Sequence, residues 1–89
     1  MSQKFYFTKR LNLSKNKNKI IFEDKNLPDF SNEVERVGYE DGCKGYFKNG
    51  DFVICRFSGT EPLLRIFAES GNKETAAQYI TDFKTFLNI

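Results

Sequence analysis

The segment Arg56-Phe57-Ser58-Gly59-Thr60-Glu61-Pro62 concentrates the residue types that hold an oxyanion. Arg56 offers a planar fork of N–H donors suited to phosphate. Ser58 and Thr60 add two hydroxyl donors. Gly59 has no Cβ, so its backbone can come close to a ligand, and consecutive N–H groups in such a turn can form an anion-binding nest. Pro62 fixes the exit of the loop, and Arg65, just beyond it, is available as a second cation. The same composition also makes an ordinary turn between strands, with the hydroxyls bonded to local backbone and Arg56 a surface charge.

What surrounds this segment narrows the chemistry. The chain has 89 residues and no His, so imidazole bases, Ser-His-Asp triads, Cys-His dyads and His metal sites are excluded. A site must use Arg, Lys, carboxylates, hydroxyls or backbone N–H groups. The length allows one domain over residues 1–89. Its core is small, and 10 Phe with 4 Tyr must supply much of its area. The net charge of +2 is uneven: residues 1–25 hold seven Lys/Arg and two acids, and residues 26–89 hold seven and ten. A basic first third can attract polyanions or be a solvated face. Two cysteines do not make a disulfide framework. No apolar run suits a membrane span, and Met1 to Phe7 has no signal-peptide character, so the expected compartment is the cytoplasm.

The elements that must position the loop can be read from pattern. Lys4 to Leu13 reads as a strand. Lys15 to Asn26 is ambiguous between a helix capped by Ser14 and a short strand over Lys19–Glu23, and Leu27-Pro28 ends it. Val34 to Tyr39 reads as a strand, and Asp41-Gly42 as a turn. Cys43–Lys48 and Asp51–Phe57 flank Asn49-Gly50, a strong hairpin signal. A two-residue turn there pairs Phe47 with Phe52, Gly45 with Ile54 and Cys43 with Arg56. Cys43, Gly45, Phe47, Phe52 and Ile54 then share one face and Cys55 takes the other, so the two thiols cannot bond and both serve as small buried hydrophobes. Leu63 to Ala68 is a further strand. Asn72 is a candidate cap for a helix over Lys73–Leu87, whose Ala76, Tyr79, Ile80, Phe83, Phe86 and Leu87 fall on one stripe. Tyr39, Tyr46 and Tyr79 read as half-buried packing residues. The predicted fold is α+β: an antiparallel sheet of four to five strands with two helices on one face.

Arg56-Phe57-Ser58-Gly59-Thr60-Glu61-Pro62-Leu63-Leu64-Arg65 resembles the phosphate-binding signature of the C-terminal domain of the phosphohexomutases, the superfamily of phosphoglucomutase/phosphomannomutase, phosphoglucosamine mutase and phosphoacetylglucosamine mutase. Asp41-Gly42-Cys43-Lys44, Asn49 to Ile54, Ile66 to Glu69 and the Lys73–Leu87 stretch extend the likeness, which covers Glu33 to Ile89. The resemblance implies a fold similar to the TATA-binding-protein type and the last of four domains of an enzyme. That enzyme moves a phosphoryl group between the 1- and 6-hydroxyls of a hexose phosphate, through a phosphoserine and a bisphosphate, with Mg²⁺ bound in earlier domains. Arg56, Ser58, Gly59 and Thr60 would then hold the non-reacting phosphate, Arg65 being a further candidate. No catalytic residue, metal ligand or cofactor is expected in this chain, which is expected to be inactive alone. Its partners would be the hexose phosphate and the parent's other domains. Two departures from the family pattern stand out: Gly45 replaces a larger apolar residue, and Phe57 stands where Pro is frequent.

Two other readings compete. One is a polyanion or RNA-binding module using the basic first third with Phe5, Tyr6 and Phe7 as stacking residues. The other is a structural lid that packs on its neighbours and touches no ligand, a reading that Arg56 buried in an ion pair would favour. Glu61 and Glu69 are separately candidates to orient Arg56 or Arg65, or solvated carboxylates.

Overall fold

A computed structural model of the chain describes residues 2–10, 25–40, 42–57 and 63–89. Among them five strands form one antiparallel sheet: β1 (Gln3–Arg10), β2 (Val34–Gly38), β3 (Cys43–Phe47), β4 (Phe52–Phe57) and β5 (Leu63–Ser70), in the order β1-β5-β4-β3-β2. One helix, α1 (Lys73–Leu87), lies across one face. The result is the expected α+β layer with one described helix. The ambiguous stretch from Lys15 lies outside the described residues up to position 24, and residues 25–30 that follow it have no regular structure.

Strict alternation builds the core. Val53, Cys55, Leu64, Ile66 and Ala68 point toward the helix and are buried, while their neighbours in sequence face the other way. From the helix, Ala76, Tyr79, Ile80, Phe83 and Leu87 meet them, the stripe that the 3.6-residue period predicts. Phe86, expected on that stripe, is only partly buried and packs at its margin. Asn72 caps the helix by accepting from the N–H groups of Glu74 (2.9 Å) and Thr75 (3.1 Å). At the other end Asn88, in the left-handed region at φ 58°, closes it with Ile89 N–H bonded to the Lys84 carbonyl at 3.0 Å.

The hairpin register differs from the expected one. β3 and β4 pair Tyr46 with Phe52, Gly45 with Val53, Lys44 with Ile54 and Cys43 with Cys55. The loop has three residues rather than two, because Phe47 N–H bonds the Asp51 carbonyl (2.9 Å) and Gly50 takes the positive φ, 95°. A slip of one residue sends side chains to the opposite face. Phe52 and Ile54 therefore part from Cys43, Gly45 and Phe47 and join Lys44 and Tyr46 on the helix-free face. Cys55 enters the core beside Cys43; both thiols are free and fully buried. Tyr79 is likewise fully buried rather than half-buried, stacked on Phe47 with centroids 4.1 Å apart. Phe30 packs edge-on against Phe47, Tyr79 and Phe83 and seals that side of the core.

A polar knot fixes the turn end of β4. The Asp51 carboxylate accepts from Tyr79 Oη (2.7 Å), Ser70 Oγ (2.8 Å) and Asn49 Nδ2 (3.0 Å), and Asn32 Nδ2 donates to Tyr79 Oη (2.8 Å). One carboxylate thus ties the β3–β4 turn, the last residue of β5 and the middle of α1. The candidate loop lies at the other end of β4.

Candidate functional site

Arg56 is the fifth residue of β4 and Arg65 the third of β5; both side chains are exposed. They are direct cross-strand partners, and Thr8 of β1 is the partner of Arg65 on the far side. Residues directly opposite share a face. Thr8, Arg65 and Arg56 therefore form one row across three strands on the helix-free face of the sheet. Two guanidinium groups placed opposite each other repel, and such pairs destabilise a bare sheet. An anion between them reverses the sign of that interaction. Ser58, Gly59, Thr60 and Glu61 lie outside the described residues.

The row forms part of a groove of about 270 Å³ whose walls include Tyr6, Thr8, Ile54, Arg56, Arg65 and Phe67. Tyr6 is 74% exposed and packs on Phe67 with centroids 4.7 Å apart. Two cations and two aromatic residues thus line one groove. A second hollow shares Ile54 and is lined by Arg36, Gly38, Glu40, Lys44 and Tyr46. There the Arg36 guanidinium lies 3.7 Å from the Tyr46 ring centroid, and Lys44 Nζ lies 4.2 Å from that of Phe52. Sequence reasoning missed this second cluster because the expected register put Phe52 and Ile54 on the face of Cys43, Gly45 and Phe47 rather than with Lys44 and Tyr46.

Other expected contacts fall differently. Glu69 shares the face of Arg65 but faces Lys4, whose Nζ is 3.8 Å from its carboxylate. Of the three aromatics considered for stacking, Phe5 and Phe7 pack against the core and Tyr6 alone turns outward. Lys84 Nζ sits 4.5 Å from the Phe7 centroid on the helix side.

The thiols have no place in this chemistry. Burial pushes Cys43 up to about 11, partly opposed by a hydrogen bond with Tyr39, and burial raises Cys55 further still. Both are protonated at neutral pH and lie on the helix side of the sheet. Tyr79 is raised by burial and by its bond to Asp51. Among the described residues no three His, Cys, Asp or Glu side chains come together. No described helix is long and apolar enough to cross a membrane.

A helix-backed antiparallel sheet whose helix-free face carries a cross-strand arginine pair defines an α+β domain with a cationic row. The comparison with known proteins is more specific. The family pattern for the phosphoglucomutase/phosphomannomutase C-terminal domain matches residues 11–85. A phosphoglucomutase/phosphomannomutase of Thermococcus kodakarensis is 44% identical over 51 residues, 53% of this chain and 11% of that protein. The chain belongs to the phosphoglucomutase/phosphomannomutase C-terminal domain family, and it spans only a small part of that relative.

Proposed function

We propose that this domain is the substrate-phosphate clamp of a phosphohexomutase. The observation that carries the reading is the cross-strand pair Arg56 and Arg65, exposed on one face at the two strand ends that flank the family's signature loop. In the proposed action the guanidinium groups, with the Ser58 and Thr60 hydroxyls and the Gly59 and Thr60 backbone N–H groups, donate to the phosphate that does not react. Holding that end places the other end of the sugar at the phosphoserine of the parent enzyme, a gain of orientation rather than of bond-making. Hydrogen bonds to a charged group contribute roughly 1.5–3 kcal/mol each. On the open face of the isolated domain most of this is lost to water, and affinity is millimolar, about −4 kcal/mol. In the parent the reaction is the interconversion of hexose 1-phosphate and hexose 6-phosphate through a bisphosphate, with Mg²⁺ bound outside this chain. Glucose, mannose and glucosamine phosphates are told apart by groups of other domains.

The test is an ¹H–¹⁵N NMR titration with glucose 1-phosphate, inorganic phosphate and a short RNA. Shifts at Phe57 to Thr60 and the Arg56 side chain, alike for both phosphates, are the expected result. Stronger shifts along Lys4 to Lys25 with RNA would instead identify a polyanion-binding module. In a full-length enzyme carrying this domain, Arg56→Ala lowers turnover at least tenfold while the domain still folds; unchanged kinetics would remove the clamp role.

A further inference from the structure

Arg56 has a neighbour on each side. On one side its cross-strand partner is Arg65; on the other, the β3–β4 pairing that ends at Cys43 and Cys55 brings Gly42 alongside it. Gly42 has φ +92°, in the region that L side chains avoid. A Cβ built there would stand 2.6 Å from Arg56 Cγ, 2.8 Å from the Cys55 carbonyl oxygen and 3.4 Å from Arg56 Cα. The other described glycines are not crowded in this way. A Cβ at Gly45 would meet Val53 Cγ1 at 3.7 Å, an ordinary contact, and one at Gly50 would meet nothing within 4 Å.

We propose that Gly42 is a positioning residue for Arg56. The stem of Arg56 occupies the space that any side chain at position 42 would fill, and this lets the guanidinium reach the groove it shares with Arg65. Gly42 is 14 positions from Arg56 in sequence, but in the fold the two are in contact range. A methyl at position 42 pushes at Cγ, the first freely rotating part of the side chain. A small displacement there is amplified at the guanidinium, and paired hydrogen bonds to a phosphate are sensitive to such shifts. The inference rests on the clamp reading for its functional meaning, though not for its geometry.

The 89-residue chain can be assembled by joining two peptides at the Gly42–Cys43 bond, which admits both Gly42→Ala and Gly42→D-Ala. A D-alanine accepts positive φ and carries its methyl in the opposite direction from an L residue. Expected with inorganic phosphate as the probe: Gly42→Ala weakens binding at least fivefold and moves the Arg56 Nε–H resonance in the ligand-free protein. Gly42→D-Ala stays within twofold of the unaltered chain with that resonance unmoved. Equal loss in both variants, or an unmoved Arg56 resonance in Gly42→Ala, would overturn the proposal. If Gly42→Ala does not fold, Gly42→D-Ala decides, because it keeps the positive φ and sends its methyl away from Arg56 and the Cys55 carbonyl. An Arg56 Nε–H resonance and a phosphate affinity like those of the unaltered chain support the shared-space account, and a moved resonance refutes it. Absence of any phosphate response in the unaltered chain would sink the clamp reading alone, since the ligand-free Arg56 resonance still reports on Gly42.

Discussion

Neutralising Arg65 is expected to stabilise the free domain and destabilise the phosphate-bound one. Arg56 and Arg65 face each other across β4 and β5, both exposed to solvent. A like-charged cross-strand pair costs a few tenths of a kcal/mol, about 0.5, in ordinary salt. For a domain of this size, that raises the melting midpoint of Arg65→Gln by about 2–4 °C over the unaltered chain in phosphate-free buffer. With a dissociation constant of ~5 mM, about 50 mM phosphate stabilises the unaltered chain by about 1.4 kcal/mol, or roughly 6–11 °C. Arg65→Gln loses one charge-assisted bond, so its affinity falls about tenfold and its gain shrinks to ~0.4 kcal/mol. The order of stability therefore reverses when phosphate is added. The assay is thermal unfolding followed by circular dichroism, with sodium chloride and sodium phosphate buffers matched in ionic strength. The reasoning fails if Arg65→Gln melts below the unaltered chain without phosphate. It also fails if phosphate raises both midpoints equally.

Three further outcomes are expected. Gly45→Ala should raise stability by about 0.5–1 kcal/mol, because the position is buried in a strand, has ordinary φ, and leaves a methyl in normal contact with Val53; a lower urea midpoint would show that the core has no room there. Asp51→Ala should cost about 2–4 kcal/mol by leaving the hydroxyls of Ser70 and Tyr79 without their acceptor. Its phosphate shifts at Arg56 should persist, since five residues of strand, about 16 Å, separate the two; loss of both together would show that the ends of the sheet are coupled. Stability should also fall on the alkaline side. Cys43 is held at about 11 against an ordinary 9.0, so the folded chain binds the proton more tightly, and the stabilisation is complete below about pH 9 and lost as pH rises toward 11. That single thiol accounts for about 2–3 kcal/mol; equal urea midpoints at pH 8 and pH 10.5 under reducing conditions would refute it.

The helix was legible because its signals are local and agree with one another. Asn72 as cap and an apolar residue at each successive turn define Lys73–Leu87 without reference to the sheet. The strands were legible for a similar reason, from aromatic and branched runs broken by Gly, Asn and Pro. Register was not. Asn49-Gly50 fits a two-residue loop, but Asn49 Oδ1 accepts from the Asp51 N–H at 2.9 Å, and the Asp51 carboxylate is held by Ser70 and Tyr79. Partners 19 and 28 residues away thus hold Asp51 at the loop, beyond the reach of any hairpin rule. The same error hid the outward face of Phe52 and Ile54. For the site, Arg56 and Arg65 could be named from residue type and from resemblance. That they oppose each other follows only from the β4–β5 register, and the part of Gly42 only from the β3–β4 register.

The two ends of β4 show how the domain divides its work. At the turn end, one carboxylate collects three donors and Tyr79 stacks on Phe47, so the geometry there is over-determined. At the loop end, two like charges face each other, and a glycine at positive φ leaves space for one of them. On the clamp reading the arginine pair gains its value when an anion arrives, and glycine is the residue that the positive φ at position 42 admits. A pair of strands built only for stability would place opposite charges or aliphatic pairs at Arg56 and Arg65. Departures from local stability rules are expected where function resides, and here they coincide on one face, at one end, around one arginine.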